Sequence, residues 1–335
     1  MGVERRFEVP SEVLKIADDI RSMRVRGAGR IARAAARALM IAAEKCSISD
    51  RNELMKYMEY CSNILLSTRP TAVSLPNAIA YVMYRLKTAY EQGKSTSELI
   101  DVVIKAATEF IKYSEEATKK IGEIGAKLIE DGDVVLTHCN SAAAVAVIVQ
   151  AHREGKRIGV YATETRPKFQ GYITTQWLIE AGLRVHLIPD SAVRYFMKKI
   201  TKVVVGADTV AANGAVINKV GTSLIALAAK EAGVPFYVAA ETYKFSPATV
   251  TGELVIIEER DPTEVVPEDY LKRNPRITVR NPSFDVTPPE YITAIITEYG
   301  VIPPQAAILI LREHYGWAIQ EKVMKLSKEL EDDRE

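Results

Sequence analysis

The chain has 335 residues, of which 47% are hydrophobic and 26% are charged, and its formal net charge at pH 7 is +1. This length allows two domains, and the composition is that of a globular protein. Charge balance argues against nucleic-acid binding, and no apolar run approaches the roughly 18 residues of a membrane helix. Because the N-terminus also lacks the apolar core of a signal peptide, we expect a cytoplasmic protein without a membrane or nucleic-acid partner.

Residues 1–120 have the apolar periodicity of successive helices and are predicted to form a helical domain. The first helix is predicted to start at Pro10-Ser11 with Ser11 as its N-cap, and a further helical pattern is expected from about residue 117. The helices between them are predicted at 31–43, 50–66, 76–89 and 97–114.

The turn before the second helix combines glycine and arginine. Arg26 is followed by Gly27, Ala28 and Gly29. Glycine lets backbone N–H groups approach an anion, and a helix N-terminus favours a phosphate. The alternative is an ordinary turn with solvated arginines.

A second arginine, Arg69, precedes Pro70 at the end of the third predicted helix. Proline disfavours helix at the residue before it and can begin the next helix. Arg69 is therefore expected on a turn, where it would either bind an oxyanion or remain solvated.

From residue 121 the pattern changes to alternating strands and helices, which predicts an α/β domain over 121–335 with a mainly parallel, Rossmann-like sheet. No G-x-G-x-x-G follows the first strand, so no dinucleotide cofactor is expected. A later strand is predicted at 253–257 and a late helix at 287–299, before a charged, solvated tail. The main strands are predicted at 133–138, 157–163, 184–188, 202–207 and 235–240, with helices at 141–154, 170–182, 191–199 and 222–232.

Two of these strands end in residues with acid–base chemistry. Cys139 follows the strand at 133–138, and Asp208 follows the strand at 202–207. Ligands of open α/β sheets bind beyond the carboxyl ends of the strands, so the pair suggests a catalytic acid and base. By themselves, Cys139 could be a core thiol and Asp208 a helix cap. A Cys–His hydrolase is disfavoured because no histidine has a convincing partner position.

The other cysteines, Cys46 and Cys61, lie in the helical region. They are expected to be small buried hydrophobic residues or, alternatively, a disulfide of the kind found inside hyperthermophile cells. With three cysteines, four histidines and no Cys-x-x-Cys pair, no metal site is predicted.

Several motifs together resemble one family. The motifs are Arg26-Gly27-Ala28, Thr68-Arg69-Pro70-Thr71, Thr137-His138-Cys139-Asn140, Glu164-Thr165-Arg166-Pro167 with Gln170-Gly171, Gly206-Ala207-Asp208-Thr209, Asn213-Gly214, Asn218-Lys219-Val220-Gly221-Thr222 and Asn281-Pro282-Ser283-Phe284-Asp285-Val286-Thr287-Pro288. With these motifs the chain resembles the aldose-1-phosphate isomerases, a family that holds methylthioribose-1-phosphate isomerases, archaeal ribose-1,5-bisphosphate isomerases and regulatory subunits of the translation-initiation guanine-exchange factor.

Within that family, the Cys139 and Asp208 pair favours an enzyme, because the regulatory subunits generally lack it. Gly29 stands where methylthioribose-1-phosphate isomerases typically have proline, and Lys244 could meet a second phosphate. These departures resemble the ribose-1,5-bisphosphate isomerases. A methylthioribose-1-phosphate isomerase and a non-catalytic regulatory subunit remain the alternatives.

The resemblance implies a cis-phosphoenolate reaction, with Asp208 as the acid and Cys139 as the thiolate base. The pKa of Asp208 would then be raised by a dry pocket, and that of Cys139 lowered by cations and a helix dipole. His138 and Asp285 are expected to be structural.

The resemblance also implies a sugar bisphosphate substrate, which carries about three to four negative charges. Its binding groups would come from both domains, so the site would lie between them, and the protein would be a homo-oligomer built from dimers, up to a hexamer. The predicted substrate-binding residues are Arg26, Gly27, Ala28, Gly29, Arg69, Arg166, Asn218, Lys219 and Lys244.

Overall fold

The computed structural model describes residues 7–69 and 73–332. The chain forms two compact units, the first ending at Glu116 and the second beginning at Ala117. The predicted helix start at Pro70 lies outside the described residues.

The first unit is helical, as the periodicity predicted. In α2 the alanines at 32, 35, 36, 38, 42 and 43 are buried, and such small side chains allow neighbouring helices to pack closely. Its helices are α1 (Ser11–Arg21), α2 (Ala28–Glu44), α3 (Arg51–Leu66), α4 (Ser74–Glu91) and the first part of α5 (Thr96–Ala126).

Helix boundaries differ from the prediction in two places. Ser11 is not the N-cap of α1 but its first residue, because the Pro10 carbonyl already accepts from the N–H groups of Val13 and Leu14. The helix predicted at 97–114 and the one expected from about 117 are one continuous α5, since neither proline nor glycine interrupts 96–121.

Cys46 and Cys61 are free thiols in the structure, so the disulfide alternative is not realised. Cys61 is fully buried, whereas Cys46 is half-buried. Burial raises the pKa of Cys61 to about 11, which keeps it an unreactive thiol at neutral pH.

The second unit is built on a seven-stranded sheet with the order β10-β9-β7-β4-β1-β2-β3, parallel except at β10. A separate antiparallel sheet has the order β5-β6-β8. The strands are β1 (Val134–Thr137), β2 (Gly159–Thr163), β3 (Val185–Ile188), β4 (Lys202–Gly206), β5 (Thr209–Val210), β6 (Val216–Lys219), β7 (Phe236–Ala239), β8 (Phe284–Thr287), β9 (Ala294–Thr297) and β10 (Gly300–Ile302).

Helices cover both faces of the large sheet, which confirms the predicted Rossmann-like α/β class. The end of α5, α6 (Ala142–Arg153) and α7 (Gln170–Glu180) share one apolar cluster with it. On the other face lie α8 (Val193–Phe196), α9 (Thr222–Ala232) and α11 (Ala307–Asp332), while α10 (Glu268–Arg273) belongs to a long connection. Strands buried on both faces need continuous apolar runs, which is why β1 and β4 show no alternation in sequence.

Two predictions in the last third are wrong. Residues 253–257 form no strand: Leu254 and Ile256 are exposed while Val255 and Ile257 pack inward, so the apolar alternation is present without a pairing partner. The region 287–299 is not a helix: it contains a short 3₁₀ turn at Pro289–Tyr291 and strand β9, since prolines at 288 and 289 oppose an α-helix and the β-branched run that follows favours strand.

Candidate active site

The sheet order places Cys139 and Asp208 at a topological switch point. The chain continues from β1 to β2 and β3 on one side, whereas β4 lies on the other side of β1. Each residue comes two positions after the end of its strand, and β1 and β4 pair directly in parallel. This crevice at the carboxyl ends is where open α/β sheets bind ligands.

A glycine allows these two strand ends to approach. Gly206 ends β4, and a Cβ built on it would lie 2.2 Å from the hydroxyl oxygen of Ser141 and 2.4 Å from its Cβ. Ser141 is the N-cap of α6, and its hydroxyl accepts from the Ala144 N–H at 3.3 Å. The close approach therefore brings Asp208 to the start of the helix that follows Cys139.

Cys139 has an unusual backbone conformation, with φ at +66° in the left-handed region. For a residue with a side chain this conformation costs about 1–3 kcal/mol, so it persists only where contacts with the surrounding structure offset that cost. Its N–H donates to Thr165 Oγ1 (2.9 Å), and its carbonyl accepts from Thr174 Oγ1 (2.6 Å). Asn140 Nδ2 donates to the same Thr174 oxygen at 3.1 Å.

The charge state of Cys139 differs from the sequence-based expectation. Burial raises its pKa to about 11, the nearby Lys219 cation opposes this rise, and the Asp208 carboxylate adds to it. The predicted lowering of its pKa is therefore wrong, because loss of hydration outweighs the Lys219 cation. Because these charge interactions act over short distances, Cys139, Asp208 and Lys219 lie close together in one site.

His138, as expected, has a structural environment. Its ring is fully buried, with Nδ1 2.5 Å from Thr163 Oγ1 and Nε2 3.0 Å from the Val220 carbonyl oxygen. Burial lowers the pKa of His138 to about 4, against the opposing influence of Asp190. The ring is therefore neutral at pH 7, with Nε2–H donating to the carbonyl and Nδ1 accepting from threonine.

The next predicted residues, Asn218 and Lys219, are the last two residues of β6 and not part of a loop. Lys219 is buried, with its ammonium 4.8 Å from the centre of the Phe284 ring, and Asn218 Nδ2 donates to Thr222 Oγ1 at 3.0 Å. Asp285 pairs with Asn218 across the small sheet and accepts from the N–H groups that start α9. Asp285 thus caps the start of α9, which is a structural role, as expected.

Lys244 and Arg166 both make specific contacts. Lys244 is buried beyond β7, in an ion pair with Glu241 at 2.7 Å. Arg166 is exposed; its guanidinium donates to the Val265 carbonyl at 3.0 Å and stacks on the Phe169 ring. Their predicted contacts with a substrate remain predictions.

The remaining predicted ligands belong to the first unit. Gly27, with φ at +87°, immediately precedes α2, so the N–H groups of Ala28 and Gly29 lie in the helix's first turn, where such groups lack intrahelical partners. Arg26 is exposed and donates to the Met23 carbonyl at 3.0 Å, while Arg69 is half-buried. Their part in a site with Cys139 remains a prediction.

Gln170 is a candidate that the sequence-based site did not include. It is the first residue of α7, one turn before Thr174, so the two lie on the same helix face. Its Oε1 is buried and has no hydrogen-bond partner within the described chain. A buried amide oxygen without a partner, one turn from the threonine that binds the Cys139 carbonyl, is a candidate for a ligand contact, and its place in the Gln170-Gly171 motif was the available signal.

Across residues 7–69 and 73–332, no group of three or more acidic, histidine or cysteine side chains is arranged to hold a metal ion. None of the helices in those same ranges is both long and apolar enough to span a membrane.

Fold and site together define a Rossmann-like α/β protein with a thiol–carboxylate pair at its switch point. The chain belongs to the initiation factor 2 subunit family, whose sequence model matches residues 24–304. This agrees with the resemblance inferred from the motifs.

Individual relatives are similar over nearly the whole chain. Ribose 1,5-bisphosphate isomerase of Thermococcus kodakarensis is 57% identical over 93% of this chain and 97% of that protein. Methylthioribose-1-phosphate isomerase of Thermosipho africanus is 41% identical over 87% of this chain and 86% of that protein.

A crystal structure of the Pyrococcus horikoshii translation initiation factor eIF-2B matches with a TM-score of 0.77 and 33% identity, covering 90% of this chain and all of that one. 5-Methylthioribose 1-phosphate isomerase of the same organism matches with a TM-score of 0.73 and 32% identity, covering 93% and 91% of the two chains.

Proposed function

We propose that the protein is an isomerase that converts α-D-ribose 1,5-bisphosphate to D-ribulose 1,5-bisphosphate. The observation that carries this proposal is the presence of Cys139 and Asp208 together at the switch point, beside the Lys219 cation. The similarity to relatives named ribose 1,5-bisphosphate isomerase supports the choice of substrate.

The proposed chemistry follows from the phosphate group on C1 of the substrate. Its phosphate blocks simple ring opening to a free aldehyde, so the reaction uses an enolate that retains the phosphate. The Cys139 thiolate removes the proton from C2, a double bond forms between C1 and C2, and the bond between C1 and the ring oxygen breaks as protonated Asp208 gives its proton to that oxygen. The product of this step is a cis-phosphoenolate. Asp208 then takes the C2 hydroxyl proton, and the Cys139 thiol protonates C1.

The two groups must act as a coupled pair. The Asp208 carboxylate raises the pKa of Cys139, so protonating Asp208 removes that opposition and makes the thiolate easier to form. Lys219 favours the same state. One proton shared between the two groups thus gives the acid and the base that the first step needs.

A bisphosphate also needs cations that a monophosphate does not. Lys244 is proposed for the second phosphate. In the free chain its charge is balanced by Glu241, and both side chains are buried. A phosphate would then meet an ammonium group that folding has already desolvated, while Glu241 keeps the hydrogen bond that it accepts from Thr118 at 3.0 Å.

Two other functions have specific support. A methylthioribose-1-phosphate isomerase is favoured by the 41% identical relative of that name. A non-catalytic regulatory role is favoured by the structural match described as an initiation factor. The Cys139 and Asp208 pair argues against the regulatory role, and Gly29 with Lys244 against the methylthio substrate.

The direct test supplies the purified protein with α-ribose 1,5-bisphosphate and follows products by phosphorus NMR, with methylthioribose 1-phosphate in parallel. Ribulose 1,5-bisphosphate formed in the first sample alone supports the proposal. Turnover of the second substrate alone would replace it with the methylthio activity, and no turnover of either by folded protein would favour the regulatory role.

The base is tested by Cys139→Ser, which should lower the rate by at least 10²–10⁴-fold, because a serine hydroxyl is a far poorer proton acceptor than a thiolate. Cys46→Ser, which changes a half-buried thiol of the first unit, is the matched control and should retain activity. Equal rates for the two variants would remove Cys139 from the mechanism.

The second-phosphate site is tested with the double variant Lys244→Met/Glu241→Gln, since removing the lysine alone would leave an unpaired buried carboxylate. The double variant should raise KM for the bisphosphate far more than for a C1 monophosphate. Equal losses on both substrates would contradict the assignment of Lys244.

A further inference from the structure

We propose that Thr165 and Thr174 are positioning residues that together hold Cys139 in its left-handed conformation and so aim its thiol at the substrate. This inference rests on the proposed role of Cys139 as the base. It concerns two hydroxyl groups that do not themselves belong to the acid–base chemistry.

The two threonines form hydrogen bonds with the backbone on both sides of the Cys139 Cα. Thr165 Oγ1 accepts from its N–H at 2.9 Å, and Thr174 Oγ1 donates to its carbonyl at 2.6 Å. Both threonines are buried, so water does not compete for these hydrogen bonds. Because each hydroxyl holds one of the two peptide groups that flank Cys139, they constrain the φ and ψ angles that set the direction of its side chain.

Both hydroxyls are themselves held by rigid structure. Thr165 also has a left-handed φ, +61°, and its N–H donates to the Asp190 carboxylate at 2.8 Å. Thr174 lies in α7, whose second residue, Gly171, is packed so closely on the end of β2 that a Cβ there would be 1.8 Å from the Thr163 carbonyl oxygen. The pair of threonine hydroxyls that bind the Cys139 backbone, here called the clamp, is therefore anchored to β2, β3 and α7.

Thr174 also joins Cys139 to the next residue. While it donates to the Cys139 carbonyl, its oxygen accepts from Asn140 Nδ2 at 3.1 Å. One hydroxyl thus orients the thiol-bearing residue and the amide after it. Valine has nearly the same shape as threonine but cannot make these bonds, whereas serine can, so the pair of substitutions separates hydrogen bonding from packing.

The test compares Thr165→Val and Thr174→Val with the corresponding serine variants. Thr175→Val is the matched control, because within the described residues the Thr175 hydroxyl donates only to the carbonyl of Gly171 in its own helix. For each variant, kcat and KM are measured with ribose 1,5-bisphosphate. Misplacing a catalytic group by about 1 Å can cost about 100-fold, so each valine variant should lose about 10- to 100-fold in kcat with KM changed less than about twofold.

A second readout does not depend on turnover. The chain has only three cysteines, so labelling cysteine with ¹⁵N and carbonyl ¹³C gives three sets of NMR signals, and the Cys139→Ser variant identifies one of them. Thr165→Val should move the Cys139 amide signal and speed its hydrogen exchange, and Thr174→Val should move the Cys139 carbonyl signal. The serine variants should restore both.

Unmoved Cys139 signals in the folded valine variants, or a kcat within twofold of the parent, would overturn the clamp. So would serine variants as impaired as the valine ones. If the parent protein turns over no ribose 1,5-bisphosphate, the proposed function fails, while the NMR signals alone still decide whether the clamp exists.

Discussion

Replacing Gly206 by alanine should disrupt both stability and the pairing of Cys139 with Asp208. The new Cβ would lie 2.2 Å from Ser141 Oγ and 2.4 Å from Ser141 Cβ, distances that real contacts do not reach. Either β4 or the start of α6 must move. Asp208 lies two residues after the end of β4, and Cys139 lies three residues before the start of α6, so either movement would displace one member of the proposed catalytic pair.

The magnitude follows from two contributions. Overpacking a well-packed interior costs about 1–3 kcal/mol, and disturbing a serine N-cap costs about 1 kcal/mol, so Gly206→Ala should lower the free energy of unfolding by about 2–4 kcal/mol. Gly159→Ala is the matched control: it is also a strand glycine, but its Cβ would meet Val134 at an ordinary 3.5 Å. That variant should be neutral or more stable by up to about 1 kcal/mol, because alanine restricts the unfolded chain.

The assay is urea unfolding followed by circular dichroism, together with isomerase activity of each folded variant. Ser141→Gly removes both atoms of the clash, and glycine as an N-cap costs only a few tenths of a kcal/mol relative to serine. The double variant Gly206→Ala/Ser141→Gly should therefore regain most of the lost stability. A Gly206→Ala protein as stable as Gly159→Ala, or a double variant no more stable than Gly206→Ala, would refute the reasoning.

Two further predictions concern buried ionisable groups. Burial raises the pKa of Asp285 to about 6, so the protonated form is favoured by folding and the protein loses stability as pH rises from about 4 to 6. Burial lowers the pKa of His138 to about 4, so the protein loses stability as pH falls from 6.5 to 4. Asp285→Asn leaves only the His138 effect, and between pH 6.5 and 4.5 its free energy of unfolding should fall by about 2 kcal/mol relative to the parent; parallel pH profiles would contradict this. Lys202→Met should cost about 3 kcal/mol in urea unfolding, because it leaves the nearly buried Asp133 carboxylate, 2.7 Å away, without its cation. The double variant Lys202→Met/Asp133→Asn should recover part of that loss, and no recovery would mean that packing, not charge, dominates.

Local sequence determined most of the secondary structure and the placement of Cys139 and Asp208 at the ends of strands. The short β-branched runs before Cys139 and before Asp208 are typical of strands buried on both faces, and they predicted that both residues reach the carboxyl edge of a parallel sheet. Periodicity likewise predicted the helices of the first unit. It failed at 253–257 and 287–299, where the same apolar residues fit more than one element and the presence or absence of a neighbouring strand decided the outcome.

Only the tertiary structure decided how the site is tuned. The strand order made β1 and β4 neighbours, and it could not be read from strands that are far apart in the chain. Burial, which depends on every element packed around a group, raised the pKa of Cys139 although Lys219 and the backbone N–H of Asn140 favour its thiolate. The same packing brought Thr165 and Thr174 to the backbone of Cys139, from positions 26 and 35 residues away along the chain. Local patterns thus specify which residues reach a strand end, while the long-range contacts that set their conformation and charge exist only in the folded chain.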